Sequence, residues 1–267
     1  MEGTTVGDLQ YQGRFVWRDL MTTDLEKSKE FFVKLFGWTT EVWDTEKAGT
    51  YTMFKHGDGM TFGGIVQLNQ EHGAPSHWIS YISTEDVDDF CSRATDLGAT
   101  IDVQPADIPS VGRWAIMADS QGARFSPFME AERTPIVEPE SVQTHGGIAW
   151  NELMTADTAA AIAFYTRMFG WTTEVMDVGT GPYTLLRNGS TLIGGIGQKP
   201  DDMPASAWTI YFEVDDIDRA VTEIETLGGH VLFPPMEVPA VGRLSWATDP
   251  TGATFAVIQS APVAQPV

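Results

Sequence analysis

Apolar residues recur along the chain with two different periods, which predict single helices separated by groups of short strands. The apolar positions within 24–36 fall on one face of a helix. Asp24 and its counterpart Asp157 are interpreted as helix N-caps, because a short carboxylate accepts hydrogen bonds from the free N–H groups of a first helical turn. Gly37 and Gly170 are interpreted as left-handed C-caps, a conformation that glycine adopts without steric cost.

Runs of alternating or continuous apolar residues predict short strands around these helices. In the first half, strands are expected near 15–21, 39–44, 50–56, 61–68, 77–84, 101–104, 112–118 and 124–129. A second helix is predicted near 87–97, ending at Gly98. Each helix is followed by three short strands with tight turns, so a mixed or antiparallel α+β arrangement is expected rather than a parallel sheet.

The chain is an internal duplication. Residues 17–42 and 150–175 are identical at 13 of 26 positions at an offset of 133. Three further matches follow in the same order, and they pair 51–67 with 183–198, 78–90 with 208–220, and 105–128 with 235–258. Such colinear similarity predicts one repeated architectural unit. We therefore expect an N-terminal domain over 12–130 and a C-terminal domain over 146–262. The segment 131–145, with Pro, Glu and Ser but no apolar periodicity, is interpreted as a linker.

The amino-acid composition argues against two classes of binding partner. A net charge of −21 repels phosphate backbones and anionic membranes, so neither nucleic acid nor a membrane is expected as a partner. No apolar run reaches the roughly 18 residues of a membrane span. Cys91 is the single cysteine, which excludes an intramolecular disulfide and a Cys₄ or Cys₂His₂ zinc site. The polar N-terminus does not resemble a signal peptide, and a cytoplasmic location is expected.

Several motifs resemble those of the vicinal-oxygen-chelate superfamily, which includes glyoxalases, bleomycin-resistance proteins and dioxygenases. They are T-x-D opening a helix that ends in F-[FY]-x-x-[LM]-F-G-W, the [TV]-[ED]-D-[VI]-D turn, and the D-x-x-G hairpin. The tandem form is similar to two-domain actinobacterial proteins described as glyoxalase-like antigens or as candidate hydroxylases. The resemblance implies two α+β domains, each a pair of βαβββ modules curled into an open half-barrel that holds a small-molecule site.

The resemblance also implies where members of the family hold a divalent metal ion. The corresponding positions here are Trp17, Ile79, Ser126 and Gln67 in the first half, and Trp150, Thr209, Ala256 and Gln198 in the second. Indole and alkyl side chains offer no lone pair to a metal, and serine is a poor ligand for iron, manganese, nickel or zinc. We therefore expect no metal cofactor. A divalent metal stays open as an alternative, because His77 lies two residues from an expected position. The histidines without a counterpart in the other repeat are expected to be structural or superficial, and they are His56, His72, His145 and His230.

Alternation along the first strand of each half suggests what lines a cavity. If Trp17 faces it, so do Asp19 and Met21, and the second half repeats this set as Trp150, Glu152 and Met154. A buried carboxylate has a raised pKa, which suits a general base. The alternative is that each acid is structural and pairs with Arg113 or Arg243 in the two V-G-R motifs.

Tyr81 and Tyr211 are the other candidate catalytic residues, because each hydroxyl can donate a hydrogen bond to a carbonyl. The expected ligand-binding residues are Trp17, Trp150, Met21, Met154, Ile79, Thr209, Arg113, Arg243 and Ser126. Aromatic residues at such spacing are also common in an ordinary core.

Three functions follow from these residues. The first is a glyoxalase-like protein that takes up a small carbonyl or aromatic metabolite and transfers a proton without metal, as a lyase or isomerase. The second is a non-catalytic protein that sequesters a drug or metabolite, of the bleomycin-resistance type. The third is a metal-dependent lyase or dioxygenase with shifted ligands. Since the duplication supplies both domains in one chain, a pseudo-twofold monomer or a homodimer is expected.

Overall fold

A computed structural model describes residues 11–45, 49–57, 59–132, 144–177, 181–201 and 203–262. Most of the expected linker, 133–143, lies outside these residues. The first half contains β1 (Phe15–Thr22), α1 (Leu25–Phe36), β2 (Thr39–Thr45), β3 (Gly49–Lys55), β4 (Thr61–Gln67), β5 (His77–Ser83), α2 (Val87–Asp96), β6 (Thr100–Ile108), β7 (Gly112–Ala118) and β8 (Arg124–Glu130). The second half contains β9 (Ile148–Thr155), α3 (Thr158–Phe169), β10 (Thr172–Asp177), β11 (Pro182–Asn188), β12 (Thr191–Gln198), β13 (Ala207–Glu213), α4 (Ile217–Thr226), β14 (His230–Val238), β15 (Gly242–Thr248) and β16 (Thr254–Ser260).

The strands form two open eight-stranded sheets, in the orders β2-β3-β4-β1-β5-β8-β7-β6 and β10-β11-β12-β9-β13-β16-β15-β14. Strand β1 pairs in parallel with β4, and β5 with β8, whereas the hairpins β2–β3, β3–β4, β6–β7 and β7–β8 are antiparallel. The second half repeats this pattern. The expected α+β fold, with two βαβββ modules in each half and a mixed sheet, is confirmed.

Local signals set the helix ends as expected. The Asp24 carboxylate accepts from the Lys27 N–H, and Gly37 ends α1 with φ of 68°. Asp157 and Gly170 do the same for α3, with the glycine at φ 73°. The predicted caps are therefore confirmed, and they set where α1 and α3 begin and end.

The compact units of the structure combine modules from different halves. Within the described residues, unit 1 comprises 11–17, 79–132 and 151–208, and unit 2 comprises 18–78, 144–150 and 209–262. Each unit has its own core, which draws on one module of each half. In unit 1, Phe90 of α2 packs on Phe169 of α3 with ring centroids 4.9 Å apart. In unit 2, Phe36 of α1 packs on Phe212 of β13 at 5.1 Å. Each hydrophobic core therefore needs residues from both repeats.

In each unit, a tryptophan of one repeat also forms a hydrogen bond with the backbone of the other repeat. In unit 2, the Trp38 Nε1–H donates to the Gly146 carbonyl at 2.9 Å, just before β9 begins. In unit 1, the Trp171 Nε1–H donates to the Gly13 carbonyl at 2.9 Å, just before β1 begins. Both indoles are buried, so each satisfies its polar edge on backbone from the other repeat.

The two cores differ in the side chains that contact the buried tryptophan and the hairpin aspartate. In unit 1, the Tyr165 hydroxyl donates to Asp119 Oδ2 at 3.1 Å and accepts from the Trp208 Nε1–H at 2.9 Å. Burial raises the pKa of Asp119 and of Tyr165. Asp119 also accepts from the Gln121 and Ala123 N–H groups, so the aspartate of this D-x-x-G hairpin is structural.

In unit 2 the equivalent of Tyr165 is Phe32, and a serine replaces its hydroxyl. Ser28 Oγ donates to Asp249 Oδ2 at 2.5 Å. The Phe32 ring lies 5.3 Å from Trp78, as Tyr165 lies 5.2 Å from Trp208. Among the described residues, the buried Trp78 Nε1–H consequently has no hydrogen-bond acceptor.

We expect Tyr165→Phe to lower the free energy of unfolding by about 1–3 kcal/mol, because it leaves the buried Trp208 donor without a partner. The double variant Ser28→Ala/Phe32→Tyr copies the unit 1 arrangement into unit 2. It is expected to raise the free energy of unfolding by about 1 kcal/mol, since Trp78 gains an acceptor. Urea unfolding of the three proteins measures both effects. Equal stability of Tyr165→Phe and the unchanged protein would contradict the assignment.

Candidate functional site

In the first strand of each half, side chains alternate between the hydrophobic core and the opposite face of the sheet. In β1, Leu20 and Thr22 are fully buried, and Leu20 belongs to the core of unit 2. Asp19 and Met21 occupy the alternate positions and so point to the opposite face. Strand β9 repeats the pattern, with Leu153 in the core of unit 1. Asp19 is 6% exposed and Glu152 is 9% exposed, while Trp17, Met21, Trp150 and Met154 are half-buried.

In unit 2, Asp19 is held by a tyrosine that reaches across a glycine. Asp19 lies directly opposite Gly64 on β4, and the next strand, β3, carries Tyr51. The Tyr51 hydroxyl donates a short hydrogen bond to Asp19 Oδ1. A Cβ atom on Gly64 would collide with the Tyr51 hydroxyl and ring. Glycine at 64 is therefore what allows this tyrosine to reach the carboxylate.

Unit 1 contains the same arrangement of a carboxylate, a glycine and a tyrosine on three strands. Glu152 lies directly opposite Gly195, and a Cβ atom on Gly195 would collide with the Tyr183 hydroxyl and ring. Sequence reasoning did not single out Tyr51 and Tyr183. The sequence nevertheless contains a pattern that points to these two tyrosines, because both repeats carry a Y-T pair followed by G-G-I. Repeat symmetry thus identifies a carboxylate, a glycine and a tyrosine as one conserved arrangement within the chain.

The two arginines of the V-G-R motifs do not contact Asp19 or Glu152. Arg113 binds Asp88 through Nε and Nη2 at 2.6 and 2.9 Å, and Asp107 through Nη1 at 2.9 Å. Arg243 binds Asp218 with both Nη atoms at 2.7 and 2.9 Å. These bonds hold the pKa of Asp88 and of Asp218 below its usual range. The hypothesis that these arginines neutralise Asp19 and Glu152 is therefore wrong. The arginines instead tie β7 and β15 to the starts of α2 and α4.

Tyr211 and Tyr81 are the buried tyrosines of the second modules. Tyr211 is 3% exposed, and its oxygen accepts from the Trp246 Nε1–H at 2.7 Å, across the small Ala256. The Tyr211 hydroxyl is therefore held in place by the indole of Trp246. Tyr81 is 7% exposed and lies against Trp114 and Phe128.

The remaining expected ligand-binding positions in these strands are buried. Ile79 and Thr209 lie in β5 and β13, two residues before the tyrosines, and Ser126 is paired with Tyr81 in the β5–β8 register.

The residues at the family's metal positions do not fit a divalent ion. Trp17, Ile79, Trp150 and Ala256 bring no lone pair suited to one. Gln67 Nε2 donates to the Thr23 carbonyl and Gln198 Nε2 to that of Ala156, so both amides support a helix start. Within the described residues, no three His, Cys, Asp or Glu side chains converge as metal ligands would.

Three of the histidines contact backbone carbonyl groups. His77 Nδ1 is 2.7 Å from the Pro75 carbonyl oxygen, His56 Nε2 is 2.9 Å from that of His145, and His145 Nε2 is 3.2 Å from that of Leu35. His230 is exposed at the start of β14. Burial raises the pKa of the Cys91 thiol to about 11, which makes it a poor nucleophile at neutral pH. No helix in the described part of the chain is long and apolar enough to cross a bilayer.

Two named relatives resemble nearly the whole chain. The protein named putative glyoxylase CFP32 of Mycobacterium bovis is 32% identical over 254 residues, which cover 94% of this chain and 96% of the relative. The anthracycline biosynthesis protein DnrV of Streptomyces peucetius is 30% identical over 272 residues, which cover 92% and 93% respectively.

Solved structures share the fold at low identity. The 2,3-dioxygenase LapB of Pseudomonas sp. KL28 matches with a TM-score of 0.61 at 14% identity, over 97% of this chain and 98% of LapB. The Mn(II)-bound glyoxalase of Novosphingobium aromaticivorans matches with a TM-score of 0.60 at 16% identity, over 94% and 82%. At such identity the likeness concerns the fold alone.

The family model of the Glyoxalase/Bleomycin resistance protein/Dioxygenase superfamily matches residues 14–126 and again 147–257. These two matches coincide with the two repeats, and the sheets and relatives agree with them. The chain therefore belongs to the glyoxalase/bleomycin resistance protein/dioxygenase superfamily, with one copy of the family domain in each half.

Proposed function

We propose that this protein binds a small carbonyl or aromatic metabolite and transfers a proton on it without a metal ion. Asp19 and Glu152 are the general bases. The observation that carries this proposal is the buried Asp19 carboxylate, which accepts a hydrogen bond from the Tyr51 hydroxyl. A carboxylate so held is fixed in place and partly shielded from water, as proton abstraction requires.

The chemistry follows from these groups. A carboxylate removes the proton from the carbon next to a carbonyl, and the electron pair of that C–H bond forms an enolate. A hydroxyl donor at the carbonyl oxygen stabilises the developing negative charge. Tyr81 and Tyr211 are the proposed donors, and the hydrogen bond from Trp246 positions the Tyr211 hydroxyl. Return of a proton from solvent to the α-carbon completes an exchange. In an α-hydroxycarbonyl compound, transfer of the hydroxyl proton to the former carbonyl oxygen gives an enediol, and protonation at the former carbonyl carbon then completes an isomerisation.

An aromatic ligand is supported by the surroundings of the carboxylates. Trp17 and Trp150 stand two positions before Asp19 and Glu152, and Met21 and Met154 stand two positions after them. Indole and thioether groups make favourable contacts with flat rings. DnrV, by its name a protein of anthracycline biosynthesis, is a relative over nearly the full length. That relationship favours an aromatic carbonyl compound over an aliphatic one.

Proton exchange without metal tests this function directly. We expect the EDTA-treated and desalted protein to exchange the α-protons of phenylacetone for deuterium in D₂O faster than buffer does, as followed by proton NMR. Hydroxyacetone is the aliphatic comparison and is expected to exchange more slowly. Exchange that stops on chelation and returns with Mn²⁺ or Fe²⁺ would establish the metal-dependent alternative. Tight binding of phenylacetone with no exchange would establish sequestration instead.

A further inference from the structure

The two carboxylate sites are built on matching rows of residues that differ at one position. In unit 1, Met154, Gly197 and Tyr183 lie side by side on strands β9, β12 and β11. In unit 2, Met21 of β1 lies opposite Val66 of β4, and Tyr51 of β3 precedes Thr52, which lies opposite Ile65. Directly paired residues point to the same face of a sheet, so Gly197 and Val66 share their face with Glu152 and Asp19.

Gly197 leaves a slot one strand wide. Neighbouring strands lie about 4.8 Å apart, so the backbones of β9 and β11 are roughly 10 Å apart over this glycine. The Met154 thioether now leans into the slot, because a Cβ atom on Gly197 would be 2.9 Å from Met154 Sδ. The same Cβ atom would be 3.4 Å from Tyr183 Cε2. The slot is therefore filled: the Met154 thioether and the Tyr183 ring cover the peptide of Gly197, which is buried.

In the first half the slot is closed. Val66 places a β-branched side chain where Gly197 has none, directly opposite Met21. A valine side chain is stiff about χ1 and cannot fold aside. Methionine, in contrast, has three rotatable bonds and readily repacks around a partner, and its sulfur contacts aromatic rings favourably.

We infer that Gly197 and Met154 make the Glu152 site selective for a flat aromatic ring, which displaces the Met154 thioether and stacks over Gly197 beside Tyr183. The Asp19 site, closed by Val66, accepts only a small carbonyl compound. This inference rests on the proposed function, because it assumes that ligands bind beside the two carboxylates. It assigns the two halves of the duplicated chain different ligand sizes.

Reciprocal exchange of the two residues tests the inference. The probe is 1,4-dihydroxyanthraquinone, a three-ring hydroxyquinone whose binding is followed by quenching of tryptophan fluorescence. We expect one binding site per chain, and Gly197→Val is expected to weaken its affinity at least tenfold. Val66→Gly is expected to raise the stoichiometry from one to two. Gly197 does not have a positive φ, and the contact that valine would meet is the end of a flexible side chain, so the variant is expected to fold.

Met154→Ala provides a further test. It removes the group that competes with the ring and is expected to preserve or tighten binding of the quinone. Absence of binding to the unchanged protein, or equal affinity of Gly197→Val, would overturn the inference.

The two proposals fail separately. Normal phenylacetone exchange together with an unaffected Gly197→Val variant would refute only the ligand-size assignment. Quinone binding that Gly197→Val weakens, without any proton exchange, would refute only the proposed catalysis.

Discussion

The double variant Asp19→Asn/Glu152→Gln is expected to slow α-proton exchange by about 10²–10⁴-fold, the usual contribution of a general base. An amide does not accept a proton at neutral pH, but its oxygen can still accept the hydrogen bond that Tyr51 donates to Asp19. The change is therefore directed at the chemistry rather than at the fold. Exchange rates by proton NMR, with phenylacetone affinity by fluorescence, measure the two effects separately.

Single variants assign the activity to a half. If Asp19→Asn alone removes the exchange, the first half is catalytic, and Glu152→Gln alone gives the converse assignment. Tyr51→Phe keeps the carboxylate and loses only its donor, so a smaller loss of about tenfold is expected from one charge-assisted hydrogen bond. Asp107→Asn, which changes an exposed acid bound to Arg113, is the control and is expected to exchange normally. A double amide variant that keeps a rate within threefold of the original would rule out carboxylate catalysis.

Gly146→Ala and Gly13→Ala are expected to produce the largest losses of stability, at about 3 kcal/mol or more each. Both glycines have positive φ, 78° and 85° respectively. A Cβ atom on Gly146 would lie 2.8 Å from Trp38 Nε1, and one on Gly13 would collide with Trp171 Nε1. Each indole is fixed in a core and bonded to the carbonyl of the same glycine, so neither can move without breaking that bond.

Gly37→Ala and Gly170→Ala are matched controls for these two substitutions. Their φ values are similarly positive, at 68° and 73°, but nothing lies within 4 Å of either Cβ position. They are expected to cost only the backbone strain, about 1–2 kcal/mol. Urea unfolding compares the pairs. Equal losses in both pairs would mean that the tryptophans adjust freely and do not hold the repeats together.

The candidate site was only partly predictable from the sequence. Alternation along β1 and β9 correctly separated Asp19 and Glu152 from the core residues beside them, because neighbouring side chains in a strand must point to opposite faces. The arginine partners were wrong, since Asp88 and Asp218 reach Arg113 and Arg243 from 25 residues away. These ion pairs depend on how a helix packs across a sheet, and the V-G-R motif does not encode that packing.

Tyr51 shows the same limit. Its bond to Asp19 requires three strands in a defined register, with a glycine between the two partners. No single strand specifies that register.

The sequence by itself determined the duplication, the order of helices and strands, and the helix caps at Asp24, Asp157, Gly37 and Gly170. These features depend on residues close together in the chain, where periodicity and backbone preference act directly. Only the tertiary structure decided that each core combines modules of both repeats, and that the Met154 thioether and the Tyr183 ring fill the space over Gly197. Both are outcomes of long-range packing, in which buried faces and vacant volume depend on partners distant in the chain.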